Sequence, residues 1–175
     1  MWGYNMHKVL IISDSHGLTT ELDEIKKQHP DAQMIHCGDS ELDIDAPELE
    51  GFTKVAGNCD FDSRYPQEQT VEIGGLRFFV AHGHRHQVKR GLMTISYRAM
   101  EEDADVVCFG HTHIAGAEKS GELLLVNPGS IRLPRLRDIK TYAILEWETP
   151  AHVNVGFRTL SGEVVEELSI HTSLK

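Results

Sequence analysis

Cysteine, positive charge and long apolar runs are all scarce in this chain, and each shortage removes a class of protein. The three cysteines, Cys37, Cys59 and Cys108, are odd in number and never spaced as metal-ribbon pairs. They make neither a disulfide framework nor a cysteine-type zinc site, and they suit a reducing cytoplasm. Lys and Arg number 17 against 27 Asp and Glu, a formal net charge of −10. Extended nucleic acid needs a positive track beneath its phosphates, so it is not an expected partner. No apolar run approaches a membrane span or a signal-peptide core, so a soluble, cytoplasmic protein without a membrane partner is expected. Internal repeats, low-complexity runs and linkers are also missing. The 175 residues are therefore expected to form one domain over 1–175, large enough to bury a core without staples. Met6 offers a second start, so residues 1–5 are expected to be dispensable.

Histidine is plentiful, eleven in all, and its placement matters more than its number. Val9-Leu10-Ile11-Ile12 is an unbroken apolar run, the pattern of a strand buried on both faces in a parallel sheet. It stops at Ser13-Asp14-Ser15-His16-Gly17, where a strand opens into a loop and where open α/β sheets bind ligands. Leu18, Leu22 and Ile25 at i, i+4, i+7 predict a helix over 19–29, with Thr20 and Asp23 resembling a capping box and Pro30 as the stop. Segments 34–37 and 52–55 read as two more strands, parallel to the first, with the acidic stretch 40–50 a loop or short helix between them. Residues 70–73 and 76–80 predict a hairpin about Gly74-Gly75.

A second helix is expected over 89–103, with Leu92, Ile95 and Ala99 on one face. Further strands are expected at 106–109, 123–126, 142–147, 153–157 and 164–168. Val153, Val155 and Phe157 alternate with Asn154, Gly156 and Arg158, which predicts one solvated face. The fold class is α/β, two sheets with helices outside them.

Seven polar residues sit just past strand ends: Asp14, His16, Asp39, Asn58, His82, His111 and His113. An Asp after a strand is ordinarily a helix cap or turn former, and a lone His is ordinarily hydrogen-bonded structure. The coincidence of five junctions, each with ligand chemistry and a nearby glycine, points to a shared task. Carboxylate, imidazole and amide oxygen suit borderline divalent metals such as manganese, iron, zinc or nickel. Seven ligands exceed what one tetrahedral zinc with an open position needs, and match two metals sharing a carboxylate.

Asp14-x-His16, Gly38-Asp39, Gly57-Asn58-Cys59-Asp60, His82-Gly83-His84 and Gly110-His111-Thr112-His113, followed by Asn127-Pro128-Gly129-Ser130, resemble the motif set of the calcineurin-like metallophosphoesterases, within them the small phosphodiesterases of bacteria and archaea. The resemblance runs through nearly the whole chain, in order. It implies a four-layer sandwich, two mixed β-sheets flanked by helices. It further implies two divalent metal ions: the first on Asp14, His16 and His113, the second on Asn58, His82 and His111, with Asp39 bridging. Manganese is the expected metal, with nickel, zinc, iron or magnesium as alternatives. The implied reaction is hydrolysis of a small phosphodiester by a hydroxide shared between the metals. The alternatives are a phosphomonoesterase or nucleotidase with the same site, or a catalytically silent binding scaffold, against which every ligand position is filled. A DNA-break nuclease is disfavoured by the lack of a basic groove.

One position departs from the superfamily pattern. Many members carry Gly-Asn-His, whose histidine protonates the leaving group, and here that place is Cys59. A thiol with a pKa of about 8.5 is a poor donor at neutral pH, and beside two cations it tends to thiolate. Asn58, Cys59 and His84 are the catalytic candidates, His84 as the substitute acid. Esters with good leaving groups are expected to be the better substrates. His36 and His86 are expected to be structural, and Lys89 and Arg90 to do nothing chemical. Arg132, Arg135 and Arg137 are expected to lie on a solvated loop or at a subunit contact, since a homo-oligomer remains open.

Overall fold

The computed structural model describes residues 6–175, so the expectation for residues 1–5 lies outside it. In chain order the first half forms β1 (His7–Ile12), α1 (Thr20–Gln28), β2 (Gln33–His36), β3 (Phe52–Lys54), β4 (Glu68–Ile73), β5 (Leu76–Ala81) and α2 (Met93–Glu101). The second half forms β6 (Val106–Cys108), β7 (Gly116–Ser120), β8 (Leu123–Asn127), β9 (Tyr142–Trp147), β10 (Val153–Arg158) and β11 (Ile170–Thr172). Two mixed sheets result, one ordered β11-β10-β9-β1-β2-β3 and the other β4-β5-β6-β8-β7. β1, β2 and β3 run parallel, as do β5, β6 and β8, and the remaining pairings are antiparallel.

The apolar runs have no polar interruption because both of their faces are covered. In β1, Val9 and Ile11 enter the core between the sheets, while Leu10 and Ile12 pack with Leu22 and Ile25 of α1. In β5, Phe78 and Val80 enter the same central core, while Phe79 and Ala81 meet Ile95 and Ala99 of α2. The order of layers is therefore helix, sheet, sheet, helix, the sandwich expected. β10 keeps Val153, Val155 and Phe157 in the central core and leaves Asn154 exposed, as its alternation predicts. Trp147 is fully buried and its indole N–H donates to the Gly74 carbonyl (2.9 Å), which ties the first sheet to the β4–β5 turn.

Four local expectations are corrected. α1 has no capping box: Thr19 is the N-cap and no side chain caps the helix. α2 starts at Met93 rather than near 89, because Gly91 takes a positive φ (+146°) and breaks a helical path through residues 89–92. Segment 164–168 supplies one bridge, Arg158 to Val164, and then a 3-10 turn at Glu166–Leu168, with the strand following as β11. β7 was not foreseen because its residues, Gly-Ala-Glu-Lys-Ser, lie on a sheet edge and carry no apolar period.

The topology delivers the ends of the parallel strands to one place. The amide of Asp14 donates to the Gly38 carbonyl (3.0 Å) and the amide of Gly110 to the His82 carbonyl (3.0 Å), joining strand ends within each sheet. Between the sheets, the His82 ring Nδ1–H donates to the Cys37 carbonyl (2.8 Å).

Two buried histidines make stability depend on pH. Tyr142 donates its hydroxyl to Gln28 Oε1 (3.1 Å), so its oxygen accepts from His29 Nε2–H (2.8 Å), and His29 Nδ1 is buried without a partner. Burial, with Lys8 and Arg158 nearby, pushes the His29 pKa from 6.5 down to about 4, and burial brings His36 to about 4 as well. Between pH 6.5 and 4 the unfolded chain binds protons that the folded chain does not. The contribution is therefore present above pH 6.5 and is lost as pH falls toward 4. Urea melts over this range should show a shallower acid loss for His29→Gln than for the parent, and parallel losses would contradict this.

Candidate metal centre

Backbone strain marks the site before any side chain is considered. Asp14, His16, Asp39, His111 and His113 all have positive φ, from +42° to +72°, although none is glycine. Each such residue costs about 1–3 kcal/mol and persists only where the surroundings over-determine it. Five of the seven candidate ligands are held this way. Glycine makes room for the carboxylates: a Cβ at Gly57 would collide with Asp39 Oδ1, and one at Gly110 with Ser13 Oγ and Asp14 Oδ2.

Asp14 and Asp39 are buried, 0 % and 2 % exposed. Asp14 Oδ2 accepts from the Ser13 hydroxyl (2.6 Å) and the His111 amide (3.1 Å), while Oδ1 is buried with no hydrogen-bond partner. Around Oδ1 stand three ring nitrogens, His113 Nε2 at 3.2 Å, His82 Nε2 at 3.6 Å and His16 Nε2 at 3.8 Å. His82 Nε2 also lies 3.1 Å from Asp39 Oδ2, and His16 Nε2 lies 3.9 Å from the same oxygen. Each ring is fixed through its other nitrogen. Nδ1–H donates to the Cys37 carbonyl in His82, to the Leu133 carbonyl in His113 (2.7 Å) and to Glu41 Oε1 in His16 (3.1 Å). These contacts leave the three Nε2 atoms directed at the carboxylates, as metal-binding imidazoles require.

Ligand atoms gather within 4.8 Å of one another in three groups among the described residues: Asp14, His16 and His113; Asp14, Asp39 and His82; and His16, Asp39 and Cys59. Five of the predicted metal ligands are thus assembled. His111 falls outside these groups; its ring stands edge-on to His82, centroids 5.1 Å apart. Asn58 is exposed and its side-chain amide donates to the Cys59 sulfur (3.6 Å). His84 adjoins this side, its ring 5.4 Å from His82 and 6.1 Å from His111, with Nδ1 buried and unpartnered.

The protonation states follow from these contacts. Burial favours a neutral Asp14, but the adjacent His113 and His82 rings and the Ser13 hydroxyl outweigh it and lower its pKa. Burial likewise opposes the charge of Asp39, yet the adjacent His82 ring brings the carboxyl down to about 2. Burial works against a charged His82 and is overcome by Asp39, so its pKa rises; the nearness of Asp14 raises that of His113. His111 is driven down to about 4 by burial and by His82, and His84 is lowered for the same reasons. The Cys59 thiol is pushed up to about 11 by burial and by Asp39 and Glu41.

Three supports went unrecognised in the sequence. Asp60 accepts from the amides of Asp39 and Gly57 (2.7 Å each) and of Glu41 (2.8 Å), clamping the Asp39 loop to the Asn58 loop. Its signal was its place in Gly57-Asn58-Cys59-Asp60. Glu41 and the Leu133 carbonyl, which fix His16 and His113, had no sequence signal. His36 and His86 are structural as expected, bonded to Ser15 Oγ (2.9 Å) and Glu68 Oε2 (3.1 Å). Among the described residues no helix is long and apolar enough to cross a membrane.

Comparison with known proteins bears on this geometry. Residues 7–150 match the calcineurin-like phosphoesterase superfamily domain. The chain is 48% identical over 169 residues to the probable metallophosphoesterase YsnB of Bacillus subtilis strain 168, covering 95% of this chain and 99% of YsnB. It is 31% identical over 101 residues to the phosphodiesterase YfcE of Escherichia coli K12, covering 53% of this chain and 50% of YfcE. A crystal structure of a predicted phosphoesterase from Streptococcus pneumoniae TIGR4 superposes with a TM-score of 0.92 at 33% identity, over 98% of this chain and 99% of the other.

Gly110→Ala tests the packing of the centre. Its methyl group must displace Ser13 or the Asp14 carboxylate. Calorimetric Mn²⁺ titration should show affinity falling by about 10–100-fold, and urea melts a stability loss of about 1–3 kcal/mol. Parent-like affinity would contradict the arrangement described.

Proposed function

The chain belongs to the calcineurin-like phosphoesterase superfamily, and we propose that it is a divalent-metal-dependent phosphodiesterase with a dinuclear site. The observation that carries the reading is the convergence of two buried, unpartnered ligand atoms, Asp14 Oδ1 and His82 Nε2, on the space bounded by His16, Asp39 and His113. Leaving such atoms unsatisfied costs about 1–3 kcal/mol each, and a cation removes that cost. Oxygen and imidazole donors together suit manganese, with nickel, zinc, iron and magnesium as the other fits.

In this reading Asp14, His16 and His113 would hold the first ion, Asn58, His82 and His111 the second, and Asp39 would serve both. Asn58 would have to leave its Cys59 contact to offer its amide oxygen. Bound cations supply Lewis acidity at the phosphoryl group and lower the pKa of a water to near neutrality. The chain's own work is positional. Cys37, Leu133 and Glu41 hold the three imidazoles by Nδ1, so each Nε2 offers its lone pair inward. Asp60 keeps the Asp39 and Asn58 loops in register. The substrate is a small phosphodiester, a preference supported by the activity in the name of YfcE. The three free cysteines fit a cytoplasmic setting, and extended nucleic acid is not a partner of so acidic a chain.

Proton delivery to the leaving group is the weak step. A thiol is a poor proton donor at neutral pH, and beside two cations Cys59 would tend to thiolate, which cannot donate; burial and His82 disfavour His84 as a cation. Aryl phosphodiesters should therefore turn over faster than alkyl ones, and equal rates would remove this account of Cys59. With Mn²⁺, bis(p-nitrophenyl) phosphate should give a higher kcat/KM than p-nitrophenyl phosphate; the reverse order would favour a phosphomonoesterase. Asp39→Asn should lower kcat/KM at least about 100-fold. Full activity in that variant would remove Asp39 from the centre.

A further inference from the structure

Beside the metal centre lies a shallow, open cavity of about 700 Å³. One wall carries Arg132, Leu133, Ile139 and Lys140, and the other carries Thr159 and Leu160. The first wall is strapped to the ligands of the centre. Ser130 Oγ–H donates to the Asp14 carbonyl (2.7 Å) and accepts from the amides of Arg132 (3.1 Å) and Leu133 (2.8 Å). The Arg132 guanidinium donates through Nη1 to the His16 carbonyl, the Leu133 carbonyl accepts from His113, and the Arg135 amide donates to the His113 carbonyl (2.9 Å). The cavity and the centre thus share a border, on which Arg132, exposed on its loop as expected, is tied to the His16 carbonyl.

The lining is locally basic in an acidic chain. Four of the nine arginines, Arg64, Arg77, Arg98 and Arg137, form ion pairs with carboxylates. Among the described residues Arg132 and Lys140 form none, and Asp138 is the one acid on the lining. Leu133 and Ile139 remain 52 % and 37 % exposed on the same wall. The Lys140 ammonium and the Arg132 donors not used on His16 lie beside an apolar surface that adjoins a phosphoester site, and they match a molecule that joins a ring to a further anion.

We infer that this cavity is a substrate subsite, and that it takes the retained arm of a phosphodiester when that arm bears both an apolar ring and a second phosphate. The inference rests on the phosphodiesterase reading and adds the class of substrate to it. Leu133 and Ile139 cover the ring, Arg132 and Lys140 take the distal phosphate, and Thr159 offers a hydroxyl at the mouth.

The test is a matched pair of esters with one leaving group: thymidine 5′-(p-nitrophenyl phosphate) with and without a 3′-phosphate, hydrolysed by the Mn²⁺-loaded protein. The 3′-phosphorylated ester should show a kcat/KM at least about tenfold higher, carried by KM and diminished by salt. Lys140→Gln should bring the ratio of the two values toward one, while Lys119→Gln, on β7, should keep it. Calorimetry should show thymidine 3′,5′-bisphosphate binding about tenfold tighter than thymidine 5′-monophosphate, with the difference lost in Lys140→Gln. Equal kcat/KM and equal affinity in the parent would overturn the subsite and leave the phosphodiesterase reading intact. Tighter bisphosphate binding with neither ester cleaved would keep the cavity and remove the phosphodiesterase reading. If a second copy of the chain covers this face instead, Lys140→Glu would convert a dimer to a monomer at an unchanged ratio, and the subsite would fall.

Discussion

Two ionised carboxylates buried where the two sheets meet set the terms for the rest of this molecule. Asp14 and Asp39 are almost wholly removed from water, and an unpaired buried charge costs several kcal/mol. The chain offsets that cost with groups drawn from distant segments. Asp14 takes the Ser13 hydroxyl and the His111 amide, and Asp39 takes the Cys59 amide, with the His113 and His82 rings 3.2 and 3.1 Å from the remaining oxygens. No local stretch contains all of these donors. The carboxylates can be held only if the carboxyl ends of β1, β2, β5 and β6 arrive at one place, which is what the stacked sheets achieve.

The same requirement accounts for the strain. Loops that leave buried strands must reverse within one or two residues to keep carboxylate and imidazole inside, and positive φ at Asp14, His16, Asp39, His111 and His113 is the consequence. Core packing on both faces of β1 and β5 supplies the rigidity that keeps five unfavourable backbones in place. Rigidity also serves chemistry, because donors fixed in advance need no reorganisation when charge develops at phosphorus. The border of the neighbouring cavity is tied to the same residues through Ser130, so a substrate arm seated there would have a defined relation to the centre.

Much of this was legible in the sequence, for a physical reason. A strand buried on both faces must be apolar without interruption, so Val9–Ile12, 76–80 and 106–109 announced themselves, and the polar residues after them stood out. The ligands were therefore readable one junction at a time, and the resemblance to a family joined them. What escaped was whatever depended on tertiary contact or on an absent period. β7 is a polar edge strand whose pairing comes from β8 rather than from its own residues. Glu41 and the Leu133 carbonyl act on His16 and His113 across 25 and 20 residues, and no spacing rule reports that. The start of α2 depends on the φ of Gly91, a conformation that glycine permits and sequence does not dictate. Asn58 and His111 were legible as ligand types, yet they stand less closely gathered than the other five.

The central claim is that two cations share the space between Asp14, Asp39 and the surrounding imidazoles. Anomalous diffraction from Mn²⁺-loaded crystals tests it most directly. The account predicts two manganese peaks roughly 3.5–4 Å apart, one bounded by Asp14, His16 and His113, the other by Asn58, His82 and His111, with Asp39 between them. Peaks elsewhere on the chain, or none at these side chains at saturating Mn²⁺, would contradict it.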